Sequence, residues 1–192
     1  MGACTTKKIG NCCAWEACFG LSSDVWHVYR GRESPPSSVS PKISGNSSPR
    51  EGTLIHGDFR LDNCLVTPEG EVAAVLDWEI STLGDPLADL GILLAYWSEP
   101  TDDFLPLGDA ATTDRGFLSR SELVATYQKQ TGRDTSDMEF FFAFASWRLA
   151  CILEGVHARY VGGANPEIPD EVEVFPHSVI YLAERAATTL GV

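Results

Sequence analysis

Positive charge is scarce in this sequence: 14 Lys and Arg stand against 27 Asp and Glu, for a formal net charge of −13. The acidic residues are scattered, so a nucleic-acid backbone is a poor partner, and a phosphate-bearing ligand would need a metal ion between it and the protein. No C-x-x-C pair occurs among the six cysteines. Cys4, Cys12, Cys13 and Cys18 crowd together with His27 as the only histidine nearby, while Cys64 and Cys151 stand alone in apolar surroundings. This is no disulfide framework, and it suits zinc poorly. No apolar run reaches the ~20 residues of a membrane span, because Arg148 and Glu154 interrupt the longest one, so no membrane partner is expected. Lys7 and Lys8 lead into an apolar stretch too short and broken for a secretory signal, which makes the cytoplasm the default location. Met1 to Thr6 fits the loose myristoylation template, a pattern short enough to recur by chance.

What is present is enough for one domain: 192 residues, 44% of them hydrophobic. From Glu33 to Arg50 the chain reads "ESPPSSVSPKISGNSSPR", too poor in large apolar residues to offset the entropy of ordering. Residues 1–50 are therefore expected to be irregular, ending in a Ser/Pro linker, with Val25 to Arg30 as one alternating stretch able to form a strand. Residues 51–192 form the folded unit.

Within that unit Thr53 to Ile55 is a short apolar run. Cys64 to Thr67 and Glu71 to Leu76 are β-rich runs separated by Pro68-Glu69-Gly70, a hairpin by composition and length. Asp85 and Pro86 open a helix through about Trp97, with Leu87, Leu90, Leu94 and Trp97 on one face and Pro100 as the stop. Ser119 to Glu122 is a capping box for a second helix ending near Gly132, and Ser136 to Glu139 repeats the signal for a third running to about Val161. Val179, Leu182, Ala183, Ala186 and Leu190 mark a fourth. Trp78, Trp97, Trp147, Cys64 and Cys151 read as core. The fold class is α+β, mostly α: one small hairpin followed by four helices.

Four polar residues fall at the edges of the apolar runs: His56, Asp58, Asn63 and Asp77. A carboxylate there needs a cation or a reacting partner to offset its desolvation. If the hairpin pairs symmetrically about its turn, Thr67 faces Glu71 and Asn63 faces Val75, with Asp77 about 7 Å further along. The open end then gathers an amide carbonyl and a carboxylate, donors suited to a hard cation such as Mg²⁺. Asp58 can enter the same space to accept a proton from an alcohol or to orient it, and Arg60 has the reach to meet a phosphoryl group. Taken singly, Asp58, Asn63 and Asp77 would also serve as turn caps or strand-end charges.

The run His56-Gly57-Asp58-Phe59-Arg60-Leu61-Asp62-Asn63, followed by Leu76-Asp77-Trp78-Glu79 and by Gly84-Asp85-Pro86-Leu87-Ala88-Asp89-Leu90, resembles the catalytic loop and metal motif of the aminoglycoside phosphotransferase and choline kinase group. It is particularly similar to the subgroup associated with acyl-CoA dehydrogenases. The resemblance implies the C-terminal lobe of a protein-kinase-like fold, ATP and Mg²⁺ as cofactors, and transfer of the γ-phosphoryl group to a hydroxyl of a small molecule. By position it implies Asp58 as catalytic aspartate, Arg60 in the place of the catalytic-loop lysine, and Asn63 and Asp77 as Mg²⁺ ligands. His56 would orient the loop, and Asp89 would tie its helix to the loop backbone. Glu79 is an additional candidate ligand if the strand continues past Asp77.

The sequence departs from that family ahead of Leu54, where it has neither a G-x-G-x-x-G loop nor a V-A-I-K-like strand. A truncated form without its nucleotide lobe is the expectation, with acceptor specificity in the loop from Thr101 to Leu118. Two other readings stay open. One is a non-catalytic kinase-like module that binds a protein partner through the exposed lobe face, and the other a metal-dependent phosphoester hydrolase built on Asp58 and Asp77.

Overall fold

The computed structural model describes residues 52–107, 110–163 and 174–191. The linker and strand expectations for residues 1–50 lie outside them.

Four short strands and four helices form the described fold: β1 Thr53–Ile55, β2 Cys64–Val66, β3 Val72–Val75, β4 Thr82–Gly84, α1 Leu87–Tyr96, α2 Arg120–Thr131, α3 Met138–Val161 and α4 Phe175–Leu190. The expected hairpin is β2–β3. Its turn closes with Thr67 N–H donating to the Glu71 carbonyl (2.8 Å) and Gly70 N–H to the Thr67 carbonyl (2.9 Å). Gly70 has φ 83°, which a side chain would resist.

The symmetric register holds only next to the turn. Val66 pairs with Val72, but Leu65 pairs with Ala74 and Cys64 with Val75, so Ala73 is an extra residue on β3. The bulge advances the open end by one residue: Leu76 N–H, not a group of Val75, donates to the Asn63 carbonyl (2.8 Å). The strand then stops, because Asp77 turns left-handed at φ 65°. Glu79 consequently does not share a strand face with Asp77; it lies exposed in the connection that follows.

A second two-stranded sheet, absent from the sequence reading, pairs β1 with β4 antiparallel, Leu54 opposite Leu83. The connection after Asp77 thereby returns the chain to the strand that leads into the His56–Asn63 loop.

Helix α1 starts at Leu87, with Asp85 Oδ1 accepting from Leu87 N–H (2.9 Å). It is buried on every side rather than on one face, every residue from Leu87 to Ala95 being buried, as suits a helix enclosed by neighbours. It ends at Tyr96, ahead of Pro100, as Trp97 becomes extended and gives its indole N–H to the Leu118 carbonyl (2.8 Å). The Ser119 capping box forms with both bonds, and Gly132 closes α2 at φ 68°. At the start of α3 no box forms; Ser136 bonds back to Asp134 instead (N–H to Oδ1, 2.9 Å).

Helix α3 packs against both α1 and α4. By length and composition it could cross a membrane, with one third of its apolar window buried in the fold. Phe140, Phe144 and Trp147 form a partly exposed aromatic row along it, so Trp147 is not core; Trp78, Cys64 and Cys151 are also only half-buried. On α4 Leu182 and Ala186 of the expected stripe are buried and Val179 packs against the core, while Ala183 and Leu190 are exposed and Ser178 is buried instead. Arg185 also faces the neighbouring helices. It donates to the Ala95 carbonyl (3.0 Å) and to Ser146 Oγ (3.2 Å) and lies over the Phe142 ring (4.9 Å). Burial pushes its pKa down to about 10.

Candidate active site

The loop between β1 and β2 begins with a sealed turn. His56 is fully buried, and Gly57 has φ 84°. A Cβ on Gly57 would meet the Ile80 carbonyl oxygen at 3.0 Å and Ile80 side-chain carbons at 3.2 and 3.3 Å, so glycine is required on both counts.

Asp89 of α1, itself fully buried, holds this turn by its backbone. Its Oδ2 accepts from His56 N–H (3.0 Å) and its Oδ1 from Gly57 N–H (2.9 Å). Burial pushes the Asp89 carboxyl up to about 6, against the two N–H bonds, which pull it down. His56 uses both ring nitrogens. Nδ1 accepts from Asp58 N–H (3.2 Å), so the proton sits on Nε2, which donates to the Leu76 carbonyl (2.6 Å). Leu76, the residue before Asp77, is therefore held on both sides, its N–H by the Asn63 carbonyl and its C=O by His56.

Asp58 follows the turn, half-buried. Asn63, at the end of a single 3-10 turn over Leu61–Asn63, donates from Nδ2 to the Asp58 carbonyl (2.8 Å) and to Asp58 Oδ2 (3.3 Å). Arg60 Nε lies 3.4 Å from Asp58 Oδ2, within ion-pair distance but without hydrogen-bond alignment, and its Nη1 lies 3.2 Å from Asp62. The Arg60 guanidinium also stacks over the Tyr96 ring at 4.9 Å. Burial, and next the negative charge of Asp58, push the Tyr96 phenol up.

Asp58, Arg60 and Asn63 thus meet directly. Asp77 follows Leu76, whose N–H is bonded to the Asn63 carbonyl, and among the described residues neither the Asp77 nor the Glu79 side chain makes a hydrogen bond or ion pair with the three. Among the described residues no group of three or more His, Cys, Asp or Glu side chains could hold a metal. The relevant donors are instead two groups that make no hydrogen bond to the protein among the described residues. Asn63 spends its Nδ2 on Asp58 and keeps its Oδ1 free of protein bonds, and the exposed Asp77 carboxylate has no ion-pair partner among the described residues. An amide carbonyl and a carboxylate fit a hard cation.

One residue of this region had no role in the sequence reading. Arg148 of α3 donates from Nη1 to the Gly57 carbonyl (2.7 Å), and with Asp58, Tyr96, Ala145, Leu149 and Ile152 it lines a cleft beside the loop. The available signal was a single arginine inside an otherwise apolar helix.

The fold is mostly helical α+β with small sheets, and it is similar to the crystal structure of a candidate aminoglycoside phosphotransferase from Ralstonia eutropha JMP134. The likeness has a TM-score of 0.58 and 33% identity, covering 75% of this chain and 45% of that one. The kinase-like fold of aminoglycoside phosphotransferases is therefore the class. The family model described as "Phosphotransferase enzyme family" matches residues 42–140, and the chain belongs to that family. Among curated proteins it is similar to mouse acyl-CoA dehydrogenase family member 10, with 44% identity over 144 residues, 72% of this chain and 14% of that protein. It is also similar to orangutan (Pongo abelii) acyl-CoA dehydrogenase family member 11, with 39% identity over 138 residues, 70% of this chain and 17% of that protein. The chain spans less than a fifth of the length of these relatives.

Proposed function

We propose that residues 51–192 are the C-terminal, helical lobe of an ATP- and Mg²⁺-dependent kinase that phosphorylates a hydroxyl of a small molecule. The observation that carries this reading is the Asn63 bridge. One amide fixes the Asp58 backbone and carboxylate while leaving its own carbonyl available. In the reaction the acceptor oxygen forms a bond to the γ-phosphorus, the bond from that phosphorus to the departing ADP oxygen breaks, and the hydroxyl proton goes to Asp58. Asn63 and Asp77 would hold Mg²⁺, which when bound neutralises phosphate charge. Arg60, poised between Asp58 and Asp62, offers its guanidinium to the transferring group. His56 and Asp89 hold the loop so that Asp58 need not reorganise.

Phosphoryl transfer from ATP to a panel of hydroxylated metabolites, read as ADP and phosphorylated acceptor, with Asp58→Ala and Asp77→Ala as controls, tests the reading. Turnover that requires both carboxylates supports it; turnover untouched by either change ends it. A second reading is a non-catalytic kinase-like binding module. That reading predicts no Mg-ATP binding by calorimetry.

A further inference from the structure

Both backbone groups of Gly57 are held by helices. Its N–H goes to Asp89 of α1 and its carbonyl accepts from Arg148 of α3, at 2.9 and 2.7 Å. The two helices meet where Gly91 lies against the Phe141 backbone, so close that a Cβ on Gly91 would stand 2.6 Å from the Phe141 carbonyl oxygen. Phe141 and Arg148 are seven residues apart, about two helical turns on one face of α3. The close contact therefore fixes how far Arg148 can reach, and the glycine turn before Asp58 sits between two rigid clamps.

We propose that Arg148 is a positioning residue for the phosphoryl transfer assigned above, and the inference rests on that reading. It acts through Gly57. A peptide held at only one end can rotate about its remaining bond, and rotation at Gly57 would swing the Asp58 carboxylate away from Asn63. Asp89 holds only the His56 and Gly57 N–H groups, and the peptide between Gly57 and Asp58 is otherwise held by its Asp58 N–H on the His56 ring (3.2 Å), so Arg148 supplies the hold on its opposite, carbonyl edge. The charge of Arg148 strengthens its bond to the carbonyl and suits a half-buried site beside Asp58 and the raised Asp89 carboxyl. Leucine or methionine at 148 would pack the cleft equally well and leave the carbonyl unheld.

The test uses the full chain as Arg148→Met and Arg148→Lys, read by hydrogen–deuterium exchange and by kinetics. In Arg148→Met, exchange at residues 57–60 should rise about tenfold while α2, which shares the core cluster of Phe59 but makes no hydrogen bond to Arg148, stays protected. Given an acceptor that the wild type turns over, kcat should fall ~10- to 100-fold with the KM for ATP little changed, since misplacement of the base rather than loss of binding is the defect. Arg148→Lys should recover part of both, because an ammonium can still reach the carbonyl. Should Arg148→Met unfold the whole chain, the lysine variant must still show the local increase confined to the loop. Exchange at 57–60 unchanged in both variants overturns the inference, as does an equal rise in α2. A wild type with no phosphoryl transfer would sink the function proposed above, and the exchange measurement would still decide whether Arg148 holds the loop.

Discussion

Gly91→Ala probes the contact on which the helical scaffold of the site depends. The new Cβ would lie 2.6 Å from the Phe141 carbonyl oxygen, 2.8 Å from its carbon and 3.2 Å from its Cβ, where ordinary contact begins at 3.4 Å. Two of these three atoms are backbone, so no side-chain rotation relieves the clash, and α1 and α3 must part by about 0.8 Å at that point, an overpacking that costs ~1–3 kcal/mol. Alanine's better helix propensity returns ~1 kcal/mol. The net expectation is a loss of about 1 kcal/mol, a fall in Tm of roughly 3–5 °C for a domain this size. Gly155 supplies the control. It also lies inside a helix, but a Cβ there meets nothing within 4 Å, so Gly155→Ala should gain the propensity alone, up to ~1 kcal/mol. Thermal melts of both variants followed by circular dichroism give the comparison. Opposite signs support the close packing of α1 on α3; a Tm that rises in Gly91→Ala would refute it.

Asp89 predicts a pH dependence. Its folded value of about 6 lies above the ordinary 3.8, so its contribution to stability is complete below about 3.8 and is lost as pH rises through about 6. In urea melts the stability of the wild type relative to Asp89→Asn should therefore improve by up to ~3 kcal/mol between pH 7 and pH 4, and a pH-independent difference would contradict the burial argument. His56→Ala removes a fully buried ring and strands the Leu76 carbonyl, so it should cost ~2–4 kcal/mol by equilibrium denaturation, most of it unrecovered by glutamine, which cannot match both bonds. Asp77→Gly relieves a left-handed residue and should leave stability within ~1 kcal/mol of wild type or above it, while any Mg²⁺-dependent turnover disappears. A strongly destabilised Asp77→Gly would mean that the carboxylate serves the fold.

Local chemistry was legible in the sequence where one short segment decides the outcome. The Ser119 box, the Pro68–Gly70 turn and the end of α3 at Val161 needed no distant partner, whereas the box expected at the start of α3 did not form. The β1–β4 sheet escaped notice because three-residue strands carry too little alternation, and Leu83, 72% exposed, gives no burial signal. The Ala73 bulge was hidden because Val72, Ala73, Ala74 and Val75 look alike in either register. On α4 the stripe placed Val179, Leu182 and Ala186 on the packed face, while the buried Ser178 and the half-buried Arg185, polar by type, gave no apolar signal. In the site, the motif from His56 to Asp77 was readable as a spacing, yet Arg148 could not be found that way. Its partner is 91 residues distant, and only folding brings them together.

The surplus alanine in β3 does more than bend the ribbon. Two strands this short, with similar residues on both faces, could slide against each other for little energy, and a two-to-one match at one spot singles out a single alignment. The reference mark for the open end is thus carried on the strand and not in the turn. Natural variants are then at liberty to lengthen, shorten or rewrite Pro68 to Gly70 while the far end of the ribbon keeps its place.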